Sequence, residues 1–395
     1  MAEYKITLND SLLQDMLANP NALGDLMSEV LNQVLAAQAT EQVGAAPYAR
    51  GEIRKNFRNG VRERALTTRI GTLNLQVPQL RIGGALKTEL FTRYQRSEQA
   101  FVAALMEMVI NGVSTRKVSR ITEELCGAEF SKSTVSELCK TLDPKIAEWR
   151  NRPLGGFPFV LVDGIVTKVR IDGRVRPQSV LIATGVNPEG YREILGFHVG
   201  DSESEHTWSE FFSSLRARGL SGVDQVASDQ HKGLVKAIQT HFQGASWQRC
   251  QTHFMRNIID STPKALATEV RDSVRAIFHA PDAATARTLL EATLRDYAER
   301  APKAMACLEA GIDDALAIMA LPSYYRKRLR TTNSVERLNE EIRRRERVIR
   351  IFPNVASLER LIGALLMEMD EEELGNRKYF EMGEYEDWKK GCKAA

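Results

Sequence analysis

Apolar positions along this chain recur at helical spacing near both ends and alternate in the middle. Leu23, Leu26, Met27, Val30, Leu31, Val34 and Leu35 predict short helices before about residue 45, where Gly44 and Pro47 break the pattern. The segment ALTTRIGTLNLQVPQL then alternates. Ile70, Leu73, Leu75 and Val77, with Gly71 at a turn, predict a small β-hairpin. Residues 97–150 return to helical spacing. In GVSTRKVSRITEELCGAEFSKSTVSELCKTL, Ser114 is placed to cap a helix through Leu125, and Gly127 supplies a turn. Ser131 or Ser133 then caps a second helix that buries Val135, Leu138 and Leu142 and turns Lys132, Thr134, Ser136 and Lys140 outward. These are helix-turn-helix proportions, although short helix pairs occur in any helical domain.

From Phe157 the period changes to that of strands. FPFVLVDGIVTKVRI, QSVLIATGV and YREILGFHV predict three strands joined by turns at Asp172-Gly173 and NPEG. A helix over 207–215 follows, with Trp208, Phe211, Phe212 and Leu215 on one face and Gly219 as its stop. DQVAS, KGLVKAIQTHF and ASWQRCQ predict strand, helix and strand. This order gives a mixed α/β domain. Residues 252–330 are alanine-rich and helical in spacing. Their stripes include Val270, Val274, Ile277 and Phe278, then Leu289, Leu290, Leu294 and Tyr297. They predict a helical insertion, because loops of that length rarely lack structure of their own.

The net charge of +3 conceals segregation. Between 50 and 96 the basic residues include Arg54, Arg58, Arg62, Arg64 and Arg69, against only Glu52, Glu63 and Glu89. A second basic block runs over 326–350, and 368–387 is mostly acidic. One basic block alone reads as a solvated face. Two such blocks point to a polyanion, most simply nucleic acid. Nothing in the sequence is long and apolar enough to span a membrane, and MAEYKITLND lacks signal-peptide shape. The five scattered cysteines fit a reducing compartment better than a disulfide framework.

Three acids stand out by context. Asp163 lies inside an apolar strand, Asp229 ends another, and Glu336 opens a basic helix whose buried stripe is Val335, Leu338, Ile342 and Ile349. Any one of the 51 acids is by default solvated. A carboxylate in or at the lip of an apolar strand costs several kcal/mol unless partnered. A divalent cation suits three carboxylates at once, and two-ion phosphodiester chemistry needs ions roughly 3.5–4 Å apart. Cys250 and His253 form a lone Cys-x-x-His pair, a poor zinc site without a second pair.

VDGIVTKVR, SDQHKGLVKAI, WQRCQTHFMRNI, TTNSVERLNEEIRRRERVIRIFPN, GVSTRKVSRI, RNGVRERALTTRIGTLNLQVPQL and ESEHTWSEFFSSLRARGL resemble the prokaryotic Mutator-type insertion-sequence transposases. The resemblance runs from about residue 48 to 366. Val166 departs from it, standing where an aromatic is often found. The resemblance implies a ribonuclease-H-like mixed sheet with an all-α insertion and an Asp-Asp-Glu triad, here Asp163, Asp229 and Glu336. It places Cys250 and His253 near the metal, with His253 contacting the scissile phosphate or shuttling a proton. It also implies a homodimer and a circular intermediate.

The expected organisation is therefore an N-terminal region of helices and a basic β-hairpin (1–96) and a helix-turn-helix-like domain (97–150), both binding DNA. A ribonuclease-H-like domain in two parts (151–251 and 331–367) surrounds the insertion (252–330), and an acidic tail (368–395) follows. The expected DNA contacts are Arg54, Arg58, Arg62, Arg64, Arg69, Arg116, Lys117, Lys132, Lys140, Arg337, Arg343, Arg344 and Arg347. The expected activity is cleavage and transfer of double-stranded DNA, at terminal inverted repeats and at a target, with two Mg2+ or Mn2+ ions. The expected setting is the bacterial cytoplasm, at the nucleoid. A metal-dependent nuclease without strand transfer and a non-catalytic DNA-binding regulator are the alternatives.

Overall fold

The computed structural model describes residues 22–47, 54–68, 71–88, 99–110, 132–375 and 378–394, with isolated positions at 6, 49, 90, 113, 117–118 and 120–122. The chain divides into two compact units, Met1–Thr141 and Leu142–Ala395.

In the first unit, helix α1 (Ala22–Val43) covers a three-stranded antiparallel sheet, β1 (Arg58–Thr68), β2 (Gly71–Leu80) and β3 (Gly84–Ala85). The predicted alternation is realised in β2. Leu73, Leu75 and Val77 are buried with Leu66 of β1 against Leu35, Ala39 and Val43 of α1. Ile70 lies outside the described residues. A separate small core joins α2 (Gln99–Ile110) to α3 (Lys132–Lys140) through Leu105, Val118, Val135 and Cys139. Val135 is buried as its spacing predicts, with Leu138 partly so. Ser114, Leu125, Gly127 and Ser131 lie outside the described residues.

The second unit opens with α4 (Asp143–Arg150) and a five-stranded mixed sheet: β4 (Phe159–Ile171), β5 (Arg174–Val186), β6 (Arg192–Gly200), β7 (Gln225–Ser228) and β8 (Ser246–Arg249). Their spatial order is β6-β5-β4-β7-β8. β4, β5 and β6 form an antiparallel meander, and β7 and β8 add in parallel. Asp172 and Gly173 join β4 to β5 with φ of 49° and 76°, the positive-φ pair that an Asp-Gly hairpin turn requires.

The first half of the central strand β4, residues 159–162, is buried on both faces and reads as a continuous apolar run, whereas Val166, Lys168 and Arg170 are exposed. The strand's odd positions Phe159, Leu161, Ile165 and Val169 face one core, and Val160 and Val162 face another. The second core is closed by α5 (Glu205–Ala217) and α6 (Lys232–His241), with Trp208, Phe211, Phe212 and Leu215 buried as the helical stripe predicts. The first is closed by α12 (Asn333–Ile349) and α13 (Val355–Gly375).

The insertion leaves β8 as α7 (Gln251–Asp260) and continues through α8 (Ala267–Phe278), α9 (Ala283–Tyr297), α10 (Pro302–Leu316) and α11 (Ser323–Leu329). Helices α7 to α10 build a core of their own on Val270, Val274, Ile277, Leu308 and Ile312, whereas Tyr325 and Leu329 of α11 join the first core of the sheet. The insertion is docked rather than dangling. Buried Gln248 of β8 donates to Ala315 O at 2.8 Å and accepts from Ile318 N at 2.6 Å.

The acidic C-terminal stretch is not a loose tail. It forms the end of α13 and then α14 (Gly383–Ala394), and it inserts Phe380, Met382 and Tyr385 into the core beside Phe159. Its acids are partly used: Asp370 takes Arg152 at 2.8 Å, and Glu373 pairs with Arg192. Among the described residues no helix is long and apolar enough to cross a membrane.

Gly190, in the NPEG turn, has φ of +90°, and its carbonyl accepts from Tyr379 N and Phe380 N. A Cβ there would stand 1.9 Å from the Phe380 carbonyl oxygen. Gly190→Ala is expected to cost about 1–3 kcal/mol and to free the C-terminal helix. A lowered melting temperature, with faster hydrogen exchange over 378–394, is the measurement that checks it.

Candidate active site

β7 pairs with β4 only from Phe159 to Leu161, and past Ser228 it leaves the edge of β4 open. Asp163 and Gly164 lie just beyond that point, and Asp229 is the first residue after β7. A crevice beyond the carboxyl ends of parallel strands is where α/β sheets place ligands. Glu336 arrives from α12, in its first turn, on a helix held to β4 by its apolar stripe and by Phe352. That residue donates from N to Lys168 O and accepts from Arg170 N, both at 2.8 Å.

Asp163 accepts from Gly164 N at 3.0 Å through Oδ1 and from Asn339 Nδ2 at 2.7 Å through Oδ2. Burial raises its pKa from the ordinary 3.8 to about 7. The Gly164 N–H opposes this, nearby Asp229 and Glu336 push upward, and His253 pulls back. Asp229 Oδ1 accepts from His231 N at 3.2 Å. Glu336 Oε1 is buried without a hydrogen bond and stands 3.5 Å from His253 Nε2, an ion-pair distance.

Cys250 and His253 are brought to the same place. Cys250 is fully buried at the junction of β8 and α7. Its Sγ accepts from Thr332 N at 3.4 Å and from Thr332 Oγ1 at 3.3 Å. The thiol therefore clasps the two ends of the insertion and fixes the start of α12. Burial raises its pKa, but hydrogen bonding with His253 and Thr332 outweighs burial and leaves it below the ordinary thiol value. His253 is pushed up to about 9, first by Cys250, against burial, with Asp163 and Glu336 adding.

Two donor sets are present. Among the described residues, the trio whose ligand atoms all lie within 4.8 Å of one another is Cys250, His253 and Glu336. The three acids do not form so tight a trio. Two cations roughly 3.5–4 Å apart do not require it, because each ion needs only some of the carboxylates. The acids offer hard oxygen donors and an unsatisfied buried Glu336 oxygen, which suit Mg2+. The Cys250 sulfur is already engaged by Thr332 and is the less available donor.

The chain matches the family described as "Transposase, Mutator family" over residues 1–374. It belongs to the Mutator family of transposases. It is 43% identical over 387 residues to the transposase for insertion sequence element IS256 in transposon Tn4001 of Staphylococcus aureus, covering 96% of this chain and 99% of that protein. It is 42% identical over 376 residues to the transposase for ISRM5 of Rhizobium meliloti, covering 95% and 94%. It is 40% identical over 374 residues to the transposase for IS1081 of Mycobacterium tuberculosis, covering 94% and 90%.

The basic residues of this Mutator-family chain are placed unequally. Arg337, Arg343, Arg344 and Arg347 are exposed on α12, with Arg344 3.1 Å from Glu341. Arg62 is exposed on β1 and Arg64 half-buried. Arg58 is tied into the fold, donating to Ala45 O at 3.1 Å and Thr40 Oγ1 at 2.8 Å. Arg54 stacks over Phe57 at 4.9 Å. Lys117 is exposed, Lys140 pairs with Glu137 at 2.6 Å, and Lys132 begins α3. Arg69 and Arg116 lie outside the described residues. Sequence reading missed the bond from Asn339 to Asp163, although its spacing one turn after Glu336 was the available signal.

With no cation bound, both shifted groups favour the folded state at low pH. Asp163 binds its proton more tightly when folded, so its contribution is complete below 3.8 and lost as pH rises to about 7. That of His253 is lost between 6.5 and about 9. In EDTA, Asp163→Asn is therefore expected to be more stable than the parent by roughly 1–3 kcal/mol at pH 8 and indistinguishable from it at pH 3.5. Mg2+ should raise the melting temperature of the parent and not of the variant. Denaturant titrations at the two pH values check both.

Proposed function

We propose that this transposase binds the terminal inverted repeats of an insertion sequence and performs metal-dependent DNA strand cleavage and strand transfer, with Asp163, Asp229 and Glu336 as its Asp-Asp-Glu triad. The observation that carries the reading is the meeting of three acids from distant segments, one of them buried enough to hold its proton to about pH 7. The sheet order β6-β5-β4-β7-β8, with an antiparallel meander followed by parallel strands, supports a ribonuclease-H-like catalytic domain. In this reading 151–251 and 331–367 are that domain and 252–330 is its insertion. Residues 1–96 and 97–150 bind DNA, and α4 connects to the catalytic part.

Asp163, Asp229 and Glu336 would hold two divalent ions, Mg2+ or Mn2+. When bound, such ions stabilise charge on the phosphate and lower the pKa of an attacking water or hydroxyl. The chain's own residues prepare the site. Asn339 fixes one oxygen of Asp163 at 2.7 Å. His253, protonated at neutral pH, holds a proton at Nε2 beside Glu336 for the oxygen that leaves. Arg337, Arg343, Arg344 and Arg347 extend positive charge along the helix that bears Glu336, where a DNA backbone is drawn by counterion release. Cleavage frees a 3′-hydroxyl, which attacks a second phosphodiester, so no covalent enzyme intermediate is needed. The remaining parts of the reading are a homodimer that pairs element ends, a circular intermediate, and action at the nucleoid of the bacterial cytoplasm.

The test uses DNA bearing element ends with Mg2+. Asp229→Asn and Glu336→Gln should bind that DNA within about twofold of the parent and lose about 10³-fold or more of cleavage and joining. Unchanged product formation in either variant removes that acid from the mechanism. Pre-cleaved ends should be joined to a target by the parent protein. Cutting without joining would reduce the activity to that of a nuclease.

A further inference from the structure

Glu203 lies in the short connection between β6 and α5, immediately before Ser204, whose side chain caps α5 by accepting from Thr207 N at 3.2 Å. Its carboxylate is packed on Gly164. A Cβ built at Gly164 would lie 3.3 Å from both Cδ and Oε1 of Glu203. Gly164 follows Asp163 and donates its N–H to that carboxylate, so the two acids meet the same residue of β4, where β7 has left the strand edge.

The surroundings of Glu203 are unusual for an acid. It is half-buried, and burial raises its pKa, with Asp229 pushing the same way. His231 and the Trp208 indole oppose this. Trp208 is fully buried, and its Nε1 has no hydrogen bond of normal geometry. This donor faces Glu203, and a buried donor left unpaired is costly. The fold thus holds an indole N–H and a backbone without a side chain against one carboxylate, and adds a second carboxylate beside it. Two such acids repel unless a cation lies between them.

The start of α6, which follows Asp229, packs on the connection that carries Glu203: a Cβ at Gly233 would lie 2.5 Å from Glu205 N and 3.0 Å from Ser204 C, and Lys236 pairs with Glu205 at 3.3 Å. Asp229, held to His231 N at 3.2 Å just before that helix, is thereby a neighbour of both Asp163 and Glu203. We propose that Glu203 is a fourth carboxylate of the acid centre and holds a divalent cation jointly with Asp229. Glu203 then touches the cofactor directly, and Trp208 and Gly164 position it. The inference rests on the reading of Asp163, Asp229 and Glu336 as cation ligands.

The experiment titrates the full-length protein with Mn2+ and no DNA, by calorimetry and by the paramagnetic resonance of free Mn2+. A parallel series reads the Mg2+-induced rise in melting temperature. Glu203→Gln, with an unchanged circular dichroism spectrum, should weaken one Mn2+ site by at least about tenfold and reduce the Mg2+-induced rise. Glu203→Asp keeps the charge but withdraws the carboxylate, and should weaken the same site. It also decides the matter if the Gln variant does not fold. Asp163→Asn separates the two readings. Parent-like Mn2+ binding in the folded Glu203 variants, with binding lost in Asp163→Asn, overturns the role of Glu203 alone. Parent-like binding in Asp163→Asn as well overturns the acid centre itself.

Discussion

The constraint on which this molecule turns is the placement of a carboxylate inside the central strand, directly after its fully buried first half. Asp163 gives up much of its hydration, and the fold returns only two hydrogen bonds, from Gly164 N and Asn339 Nδ2. A structural role would be better served by an arginine in bidentate contact, as Asp143 is served by Arg360 in the same unit. At Asp163 the neighbours are instead two more acids and one histidine. Stability is sacrificed where positive charge must be free to arrive from outside, which is the pattern expected of a functional site.

The insertion explains how Glu336 reaches that place across so long an interval of sequence. The chain leaves β8 at Cys250 and returns at Thr332, and the Cys250 sulfur accepts from both the backbone and the hydroxyl of Thr332. Thr252 and Asn333 add a bond of 3.1 Å between the same two ends. Because departure and return are clasped together, the helical block can carry its own core without loosening the helix that bears Glu336. Cys250 therefore has a packing reason to be buried beside the acids, independent of any chemistry at its sulfur.

Much of the second unit was legible in the sequence. The period-2 runs found β4, β5 and β6, the Asp-Gly pair found its hairpin, and the stripe of Trp208, Phe211, Phe212 and Leu215 found α5. Those signals are local, and the burial pattern enforces them. The roles of Asn339 and Glu203 were not legible, because each depends on a partner from another element: Asn339 on Asp163, Glu203 on Gly164 and Trp208. Arg58 shows the same dependence on distant partners. A basic residue among basic residues looks solvated until its bonds to Ala45 and Thr40 are seen. The place of Phe380 and Tyr385 in the acidic C-terminal stretch was likewise not legible, since it depends on Phe159 from β4 to receive them.

Among the described residues, His253 is the cationic side chain at ion-pair distance from Glu336, and its character fits a site of acids. A lysine or arginine would neutralise the acids permanently and compete with any incoming cation. An imidazole at 3.5 Å is a weaker partner whose charge can be surrendered. Cys250 beside it supports the protonated ring at neutral pH, and divalent cations arriving on the carboxylates would act in the opposite sense. In the proposed reading, cation arrival and proton release at His253 would be linked through shared acids. A site proposed to gather positive charge and to supply a proton to a departing oxygen would gain from having both functions answer to the same carboxylates.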